Sequence, residues 1–187
     1  MKKSFSPLKT KRLTLDLATA QDISDLIYFL NKNKSFFQPW DPTTPPKFYE
    51  RNYWKEKIRL YNQEYQSEKA LRLLIKNNLN IIGMINFTNF EKEPFQNVRL
   101  GYKIDKDYQG QGYMLEALRI SIAYIFTTLH YHRIEANVIP SNTRSRNLLK
   151  KLGFIEHGLA PNYLKINGKW QDHILTSLTI EQYNSAH

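Results

Sequence analysis

The sequence predicts an α/β (α+β) fold, with a mixed, mostly antiparallel central sheet of about seven strands flanked by about four helices. Three observations carry this expectation. Segments with the two-residue period of half-buried strands are interspersed with segments of helical period along 187 residues. Three strand-like runs between residues 70 and 104 follow one another as a meander. An Asn167-Gly168 pair between two further runs predicts a closing hairpin.

In chain order, residues 10–17 alternate polar and apolar, with Leu13, Leu15 and Leu17 on one side of a first strand. Thr19 then precedes a helix through Asn31, with Ile23, Leu26, Ile27 and Leu30 at i, i+3, i+4, i+7 and Asp22 in the first turn. Four of the eight prolines (Pro39, Pro42, Pro45, Pro46) impose an irregular loop around Trp40 and Asp41. A helix resumes over residues 49–65. Loop and helix form either a substrate lip or a plug of Phe36, Phe37, Trp40 and Trp54 over one end of the core. Strands follow at 70–75, 81–90 and 98–104, with Asn77, Asn78 and Asn80 in the first turn and Gly83 marking a bulge.

A helix over 114–129 carries Leu115, Leu118, Ile122 and Ile125 on its core stripe. Residues 133–139 read as a strand with Glu135, Asn137 and Ile139 on one face and Ile134, Ala136 and Val138 on the other. Pro140 ends it. A helix starts at Ser141-Asn142-Thr143, packs Leu148, Leu149 and Leu152 and closes at Gly153. Phe154-Ile155 opens the sixth strand, and residues 163–166 and 173–179 flank the Asn167-Gly168 turn.

The length suits one domain over 1–187 with its core at 10–180. At 41% hydrophobic, 13% aromatic and 24% charged residues, the composition is globular rather than disordered. No run approaches the roughly 20 apolar residues of a membrane span. The start Met1-Lys2-Lys3-Ser4-Phe5 has no apolar segment behind it, unlike a secretory signal. Cysteine is absent, which excludes disulfides, thiolate nucleophiles and zinc-thiolate sites and fits the cytoplasm. The net charge of +10 attracts polyanions, but no block of five or six basic residues marks a dedicated nucleic-acid arm. Histidines and carboxylates show no ligand spacing, so no metal is expected. Monomer and homodimer both remain open.

The chemistry concentrates in Tyr108-Gln109-Gly110-Gln111-Gly112-Tyr113-Met114-Leu115-Glu116, between a strand and a helix. Gly110 and Gly112 permit unusual backbone angles and close approach, and the first helical N–H groups lack intrahelical acceptors. Such a turn is either a bare strand-to-helix connection or a phosphate cradle. It matches neither the dinucleotide fingerprint nor the Gly-Lys-Ser/Thr phosphate loop. Gln109-x-x-Gly112 instead resembles the Gln/Arg-x-x-Gly-x-Gly/Ala signature of the GNAT N-acetyltransferase superfamily, with Met114 where Gly or Ala is usual. Asn142-x-x-Ser145 followed by Leu152-Gly153-Phe154 resembles a second block of that superfamily. Leu100-Gly101-Tyr102-Lys103-Ile104 occupies the place of its cofactor-pairing strand. The run from Asn162 to His173, with Asn167-Gly168-Lys169-Trp170-Gln171-Asp172, resembles the C-terminal block of the ribosomal-protein alanine N-acetyltransferases, in which Met114 with Glu116 is usual. The resemblance spans about 10–179, is strongest from Leu100 onward and is weak between 35 and 67.

The resemblance implies the GNAT fold, with acetyl-CoA as co-substrate in a splay between two central strands. Tyr102, Ile104, Gln109, Gly110, Gln111, Gly112, Tyr113, Met114, Asn142 and Asn147 are its implied cofactor contacts. It further implies direct acetyl transfer in a ternary complex to a protein N-terminal α-amine, foremost alanine of a ribosomal protein, with the ribosome as a possible partner. An α-amino group has pKa about 7.7–8.0, so a base near neutrality can deprotonate it. His157, with an ordinary pKa of about 6.5, stands where many relatives carry a glutamate and is either that base or a surface residue. Glu156 points to the opposite face. Asn137 aligns with a catalytic glutamate of some relatives and can hold a relaying water. The tyrosine that usually protonates the departing thiolate is replaced here by Leu149, leaving Ser145 as the candidate acid or an ordinary helix residue. Glu116 complements the helix dipole, and Asp172 and His173 border the substrate tunnel or cap the hairpin. Rival readings are an acetyltransferase for a small antibiotic or metabolite amine, a non-catalytic acetyl-CoA-binding module, and, on charge alone, a nucleic-acid binder.

Overall fold

The computed structural model describes residues 4–186. The basic start Met1-Lys2-Lys3, read above against a secretory signal, lies outside the described residues. Eight strands form one sheet in the order β1-β2-β3-β4-β5-β6-β8-β7. Of the strand expected over 10–17 only β2 (Thr14–Leu17) forms; it pairs antiparallel with a short strand before it, β1 (Leu8–Lys9), that the alternation did not predict. The Thr10 N–H donates to the Leu13 C=O at 2.9 Å and closes the turn between them. β1 is the strand beyond the seven expected.

A 3-10 turn, Ala20–Asp22, leads into α1 (Ile23–Lys32), with the Thr19 N–H and hydroxyl both donating to Asp22 Oδ2 at 2.8 Å. Asn33 then interrupts the helix before one further turn, α2 (Lys34–Phe37), that the periodicity did not predict. After the proline loop, α3 (Arg51–Gln66) returns along the sheet.

β3 (Leu71–Asn77) and β4 (Asn80–Glu91) make a hairpin. Ile75 faces Gly83 and Lys76 faces Ile81, leaving Ile82 as the extra residue of a bulge. The bulge resets the alternation. Ile81 and Met84 enter the core under α1 and α3, whereas Ile82, Ile85 and Phe87 enter the core on the other face. A Cβ at Gly83 would stand 2.7 Å from the Lys103 carbonyl oxygen, so the glycine also permits close backbone approach.

β5 (Asn97–Ile104) runs antiparallel to β4 and leads through the loop 105–112 into α4 (Tyr113–Thr127). β6 spans Arg133–Glu135, shorter than the 133–139 expected. Beyond it the chain leaves β5 and follows β8 (Lys169–Thr179): Ala136 N–H donates to Thr176 C=O at 3.1 Å, and Val138 bridges to Ile174. Ile134, Ala136 and Val138 are nonetheless all buried on one side, as the alternation demands. α5 (Thr143–Lys151) starts at its Asn142 cap, and β7 (Ile155–Ile166) forms the outer edge of the sheet. A last short helix, α6 (Ile180–Ala186), follows β8.

Two cores sandwich the sheet. α4 and α5 cover one face with Leu118, Ile122, Ile125 and Leu149. α1 and α3 cover the N-terminal part of the other with Phe29, Leu30, Trp54 and Ile58. Phe37 and Trp54 are buried plugs of this second core, while Trp40 is 36% exposed. Among the described residues no helix is long and apolar enough to cross a membrane.

Candidate active site

The site follows from one irregularity of the sheet. β5 and β6 run parallel and pair only at Asn97, Val98 and Arg99 with Arg133, Ile134 and Glu135. From Leu100 to Ile104, β5 has no partner on that side, because the chain after Glu135 has turned toward β8. The result is a cleft inside the sheet, lined on one wall by strand backbone with unfilled hydrogen-bonding capacity.

The loop 105–112 stands at the open end of this cleft. Gly110 and Gly112 have φ of +72° and +78°, and Gly112 is the N-cap of α4. A residue with a Cβ is strained there. The first intrahelical bond runs from Glu116 N–H to Gly112 C=O at 3.0 Å, so the N–H groups of Tyr113, Met114 and Leu115 precede the ladder. The two glycines and these N–H groups give the turn the left-handed backbone and the donors outside the helical ladder that an anion cradle requires. Gln109 is half-buried, and Gln111 is exposed, its Nε2 donating to Asp107 C=O at 2.8 Å. Met114 is buried in the core, so only its backbone faces the cradle.

Residues that no sequence motif singled out hold the loop. Arg12, in the β1–β2 turn, donates from Nε to Glu116 Oε2 at 2.6 Å and from Nη1 to Gln111 C=O at 3.1 Å, and its guanidinium lies 4.1 Å from the centre of the Tyr113 ring. Burial alone raises the Glu116 pKa, but hydrogen bonds from Thr10 and Arg12 outweigh it and hold the carboxyl below its ordinary value. On the other side, Lys32 bridges buried Asp105 (2.8 Å) and exposed Asp107 (2.7 Å), while Asn33 Oδ1 accepts from Lys106 N–H. Asp105 and Lys32 are 73 residues apart and carry no local periodicity that would pair them.

On the α5 side, Asn142 caps the helix by accepting from Ser145 N–H at 3.1 Å. Tyr102, on the α4–α5 face of β5, reaches Ser145 with its hydroxyl 2.7 Å from Ser145 Oγ. Burial pushes the Tyr102 phenol up to about 12, with the Ser145 hydrogen bond acting in the opposite direction. The phenol is therefore neutral at physiological pH. Ile104 is half-buried against the same core. Asn147 is exposed, about 200° round α5 from Ser145, and is not brought to this group.

The opposite face carries the remaining candidates. Asn137 is fixed at both ends: its Oδ1 accepts from Thr176 N–H at 3.2 Å and its Nδ2 donates to the Tyr163 hydroxyl at 2.8 Å. Tyr163 packs on buried His173, ring centres 5.2 Å apart. His157 sits in a bulge of β7 with Nε2 2.6 Å from Ser177 Oγ. It lies two strands from the cleft, about 10 Å at ordinary strand spacing. Glu156 turns the other way and takes two bonds from Arg146, which hold its carboxyl below the usual range. Asp172 accepts from Asn162 N–H at 2.8 Å within the terminal hairpin. Asp41 ties the proline loop down, through an ion pair to Lys103 and by accepting from Asn167 N–H at 3.1 Å.

A sheet split beside a left-handed glycine turn, with polar side chains on both faces of the split, is the arrangement into which the fold gathers the candidate residues. Residues 12–155 match the acetyltransferase (GNAT) domain family, and the chain belongs to that family as an N-acetyltransferase. Over 174 residues it is 37% identical to the [ribosomal protein uS5]-alanine N-acetyltransferase of Escherichia coli, covering 92% of this chain and 90% of that protein. The crystal structure of ribosomal-protein-S5-alanine acetyltransferase from Vibrio fischeri superposes with a TM-score of 0.91 at 29% identity, covering 96% and 99% of the two chains. RimJ of Mycobacterium smegmatis, in complex with CoA-disulfide, superposes at 0.87 with 26% identity, covering 91% and 83%.

Proposed function

We propose that the protein transfers the acetyl group of acetyl-CoA directly to the α-amine of a protein N-terminus, with alanine of a ribosomal protein as acceptor. The observation that carries this reading is the cleft between β5 and β6. It joins the cradle at Gly110 and Gly112 to Tyr102 and Ser145 on one face and to Asn137 on the other. The residues fit acetyl-CoA, whose phosphates suit the cradle and whose amides suit the unpaired edge of β5. Acetyl-CoA supplies the thioester; the chain supplies alignment, which makes the transfer effectively unimolecular.

Similarity to the uS5-alanine acetyltransferase across nearly the whole chain supports the acceptor class. The acceptor face supports it too. Asp41 is paired with Lys103, and Glu135 with Arg133 and Arg99, so neither offers an unpaired charge to a polycationic amine. An α-amine of pKa about 7.7–8.0 needs only a mild base. The amine gives its proton to a water beside Asn137 and Tyr163, and that proton reaches His157 through a chain of more than one water, because His157 lies about 10 Å from the cleft and one water spans about 6 Å. On the leaving-group side, the phenol of Tyr102 is the stronger acid of the two hydroxyls and donates to Ser145 Oγ. The Ser145 proton is then directed to the departing sulfur.

Thiol release from acetyl-CoA, measured with Ala-, Ser- and Met-starting peptides against small amines, tests the acceptor. Turnover is expected on Ala-starting peptides, and turnover confined to small amines refutes the assignment. Ser145→Ala is expected to lower kcat about tenfold with acetyl-CoA affinity unchanged, the value of one hydrogen bond to developing charge. An unchanged kcat removes the acid role.

A further inference from the structure

The Asn86 carboxamide stands out on the acceptor face of the sheet. Ile85 and Phe87 are fully buried against the α4–α5 core, so alternation places Asn86 on the opposite face. Its cross-strand neighbours there are Arg72 of β3 and Gly101 of β5. Arg72 is engaged elsewhere, by an ion pair to Glu64 and by stacking 4.2 Å from the centre of the Tyr61 ring. Asn86 Oδ1 is buried and, among the described residues, accepts no hydrogen bond. A buried amide oxygen without a donor costs about 1–3 kcal/mol, and such groups are uncommon in folded proteins.

The space beside it is open. A Cβ built on Gly101 meets nothing within 4 Å, although Gly101 sits in the middle of β5, directly opposite Asn86. It is also the second residue of β5 beyond the last pair with β6, Arg99 with Glu135, and so lies where the cleft begins. Glycine inside a strand with empty space above it marks close approach by another molecule. The second orphaned amide oxygen, Asn97 Oδ1, lies four residues earlier on the same strand face, at the closed end of the pairing.

We infer that Asn86 and Gly101 form the subsite that receives the acceptor amine. The carboxamide turns about its last side-chain torsion to present Oδ1 over Gly101, where it accepts a hydrogen bond from an N–H of the incoming primary amine. The ternary complex thereby fills the acceptor that the described residues leave unmet. This rests on the functional reading above for the direction of approach, and it names a specificity residue that no motif contains. An amine donates there, whereas a carboxylate offers no donor and leaves Oδ1 unpaired, so the subsite selects against anionic acceptors.

The test uses the full chain, with acetyl-CoA for turnover and with CoA for binding of the amine. Asn86→Leu keeps the side-chain volume and removes the acceptor atom; Gly101→Val fills the open space with a residue that suits a strand. For both, the KM of the amine is expected to rise about tenfold, as for loss of one hydrogen bond to a charged or developing donor. Acetyl-CoA affinity by calorimetry is expected to stay within about twofold. Asn86→Leu is also expected to melt at or above the parent temperature, because it removes a buried unsatisfied atom. An unchanged amine KM in Asn86→Leu, with raised stability, shows a purely structural defect and overturns the inference. Should small amines but no peptide be turned over, the N-terminal reading fails while the same KM comparison still decides the subsite. No binding of any amine to the CoA complex, by calorimetry, overturns both.

Discussion

Replacing Gly83 by alanine tests how β4 holds β5 beside the cleft. The added Cβ would lie 2.7 Å from the Lys103 carbonyl oxygen and 3.0 Å from Ile75 Cδ1. The isoleucine methyl can rotate away, but the oxygen belongs to the β5 backbone. Restoring ordinary contact from 2.7 to 3.4 Å moves that backbone by 0.7 Å, at the place where Gly83 and Met84 pair with Ile104 and Lys103. Overpacking of this kind costs about 1–3 kcal/mol, and weakening two ladder hydrogen bonds adds about 1 kcal/mol. Alanine recovers about 0.5–1 kcal/mol through the unfolded chain. The net loss is about 1–3.5 kcal/mol, or roughly 2–14 °C in Tm for a chain of this size. Thermal melts with and without CoA measure it. Because the displaced strand borders the cleft, CoA affinity by calorimetry is expected to fall as well. A Tm within about 1 °C of the parent, with CoA affinity intact, refutes the view that β4 fixes β5 through this contact.

Other perturbations follow from the loop and its supports. Lys32→Met leaves buried Asp105 without its cation and is expected to cost on the order of 3 kcal/mol in urea denaturation, whereas Asp107, more than half exposed, contributes little. Arg12→Ala releases Gln111 and Glu116 together and is expected to weaken acetyl-CoA binding about tenfold, with kcat at saturation unchanged. Asp22, Asp105 and Glu116 all have folded pKa values below their ordinary ones. The stability they contribute is present above about pH 4 and is lost as the pH falls through the lowered values. Denaturation midpoints between pH 2 and 6 are expected to drop steeply below about pH 4, and Asp105→Asn is expected to flatten that drop.

The features legible in the sequence were those set by neighbours along the chain. Gly110 and Gly112 announced a left-handed entrance to α4, and Leu118, Ile122 and Ile125 announced which face that helix buries. Alternation put Ile134, Ala136 and Val138 on one face, and all three are buried together even where β6 has already ended. What pattern did not convey is partner choice. Residues 136–139 keep a strand's period whether they follow β5 or β8, and the cleft depends on the second outcome. Likewise the contacts of Arg12 with Glu116, Tyr102 with Ser145 and Lys103 with Asp41 join residues 104, 43 and 62 positions apart. Their pairing is decided by the register of the sheet. Gly83 was legible as a bulge position, but not as the point where two backbones meet most closely.

The early end of β5–β6 pairing has a consequence for solubility. An exposed outer strand will zip to any extended polypeptide that reaches it, and proteins blunt such edges to avoid aggregation. Here the rungs from Leu100 to Ile104 that β6 leaves unpaired lie inside the sheet, with α5 alongside, and not at its rim. The sheet thus carries unspent backbone donors and acceptors without offering an outer edge to foreign strands.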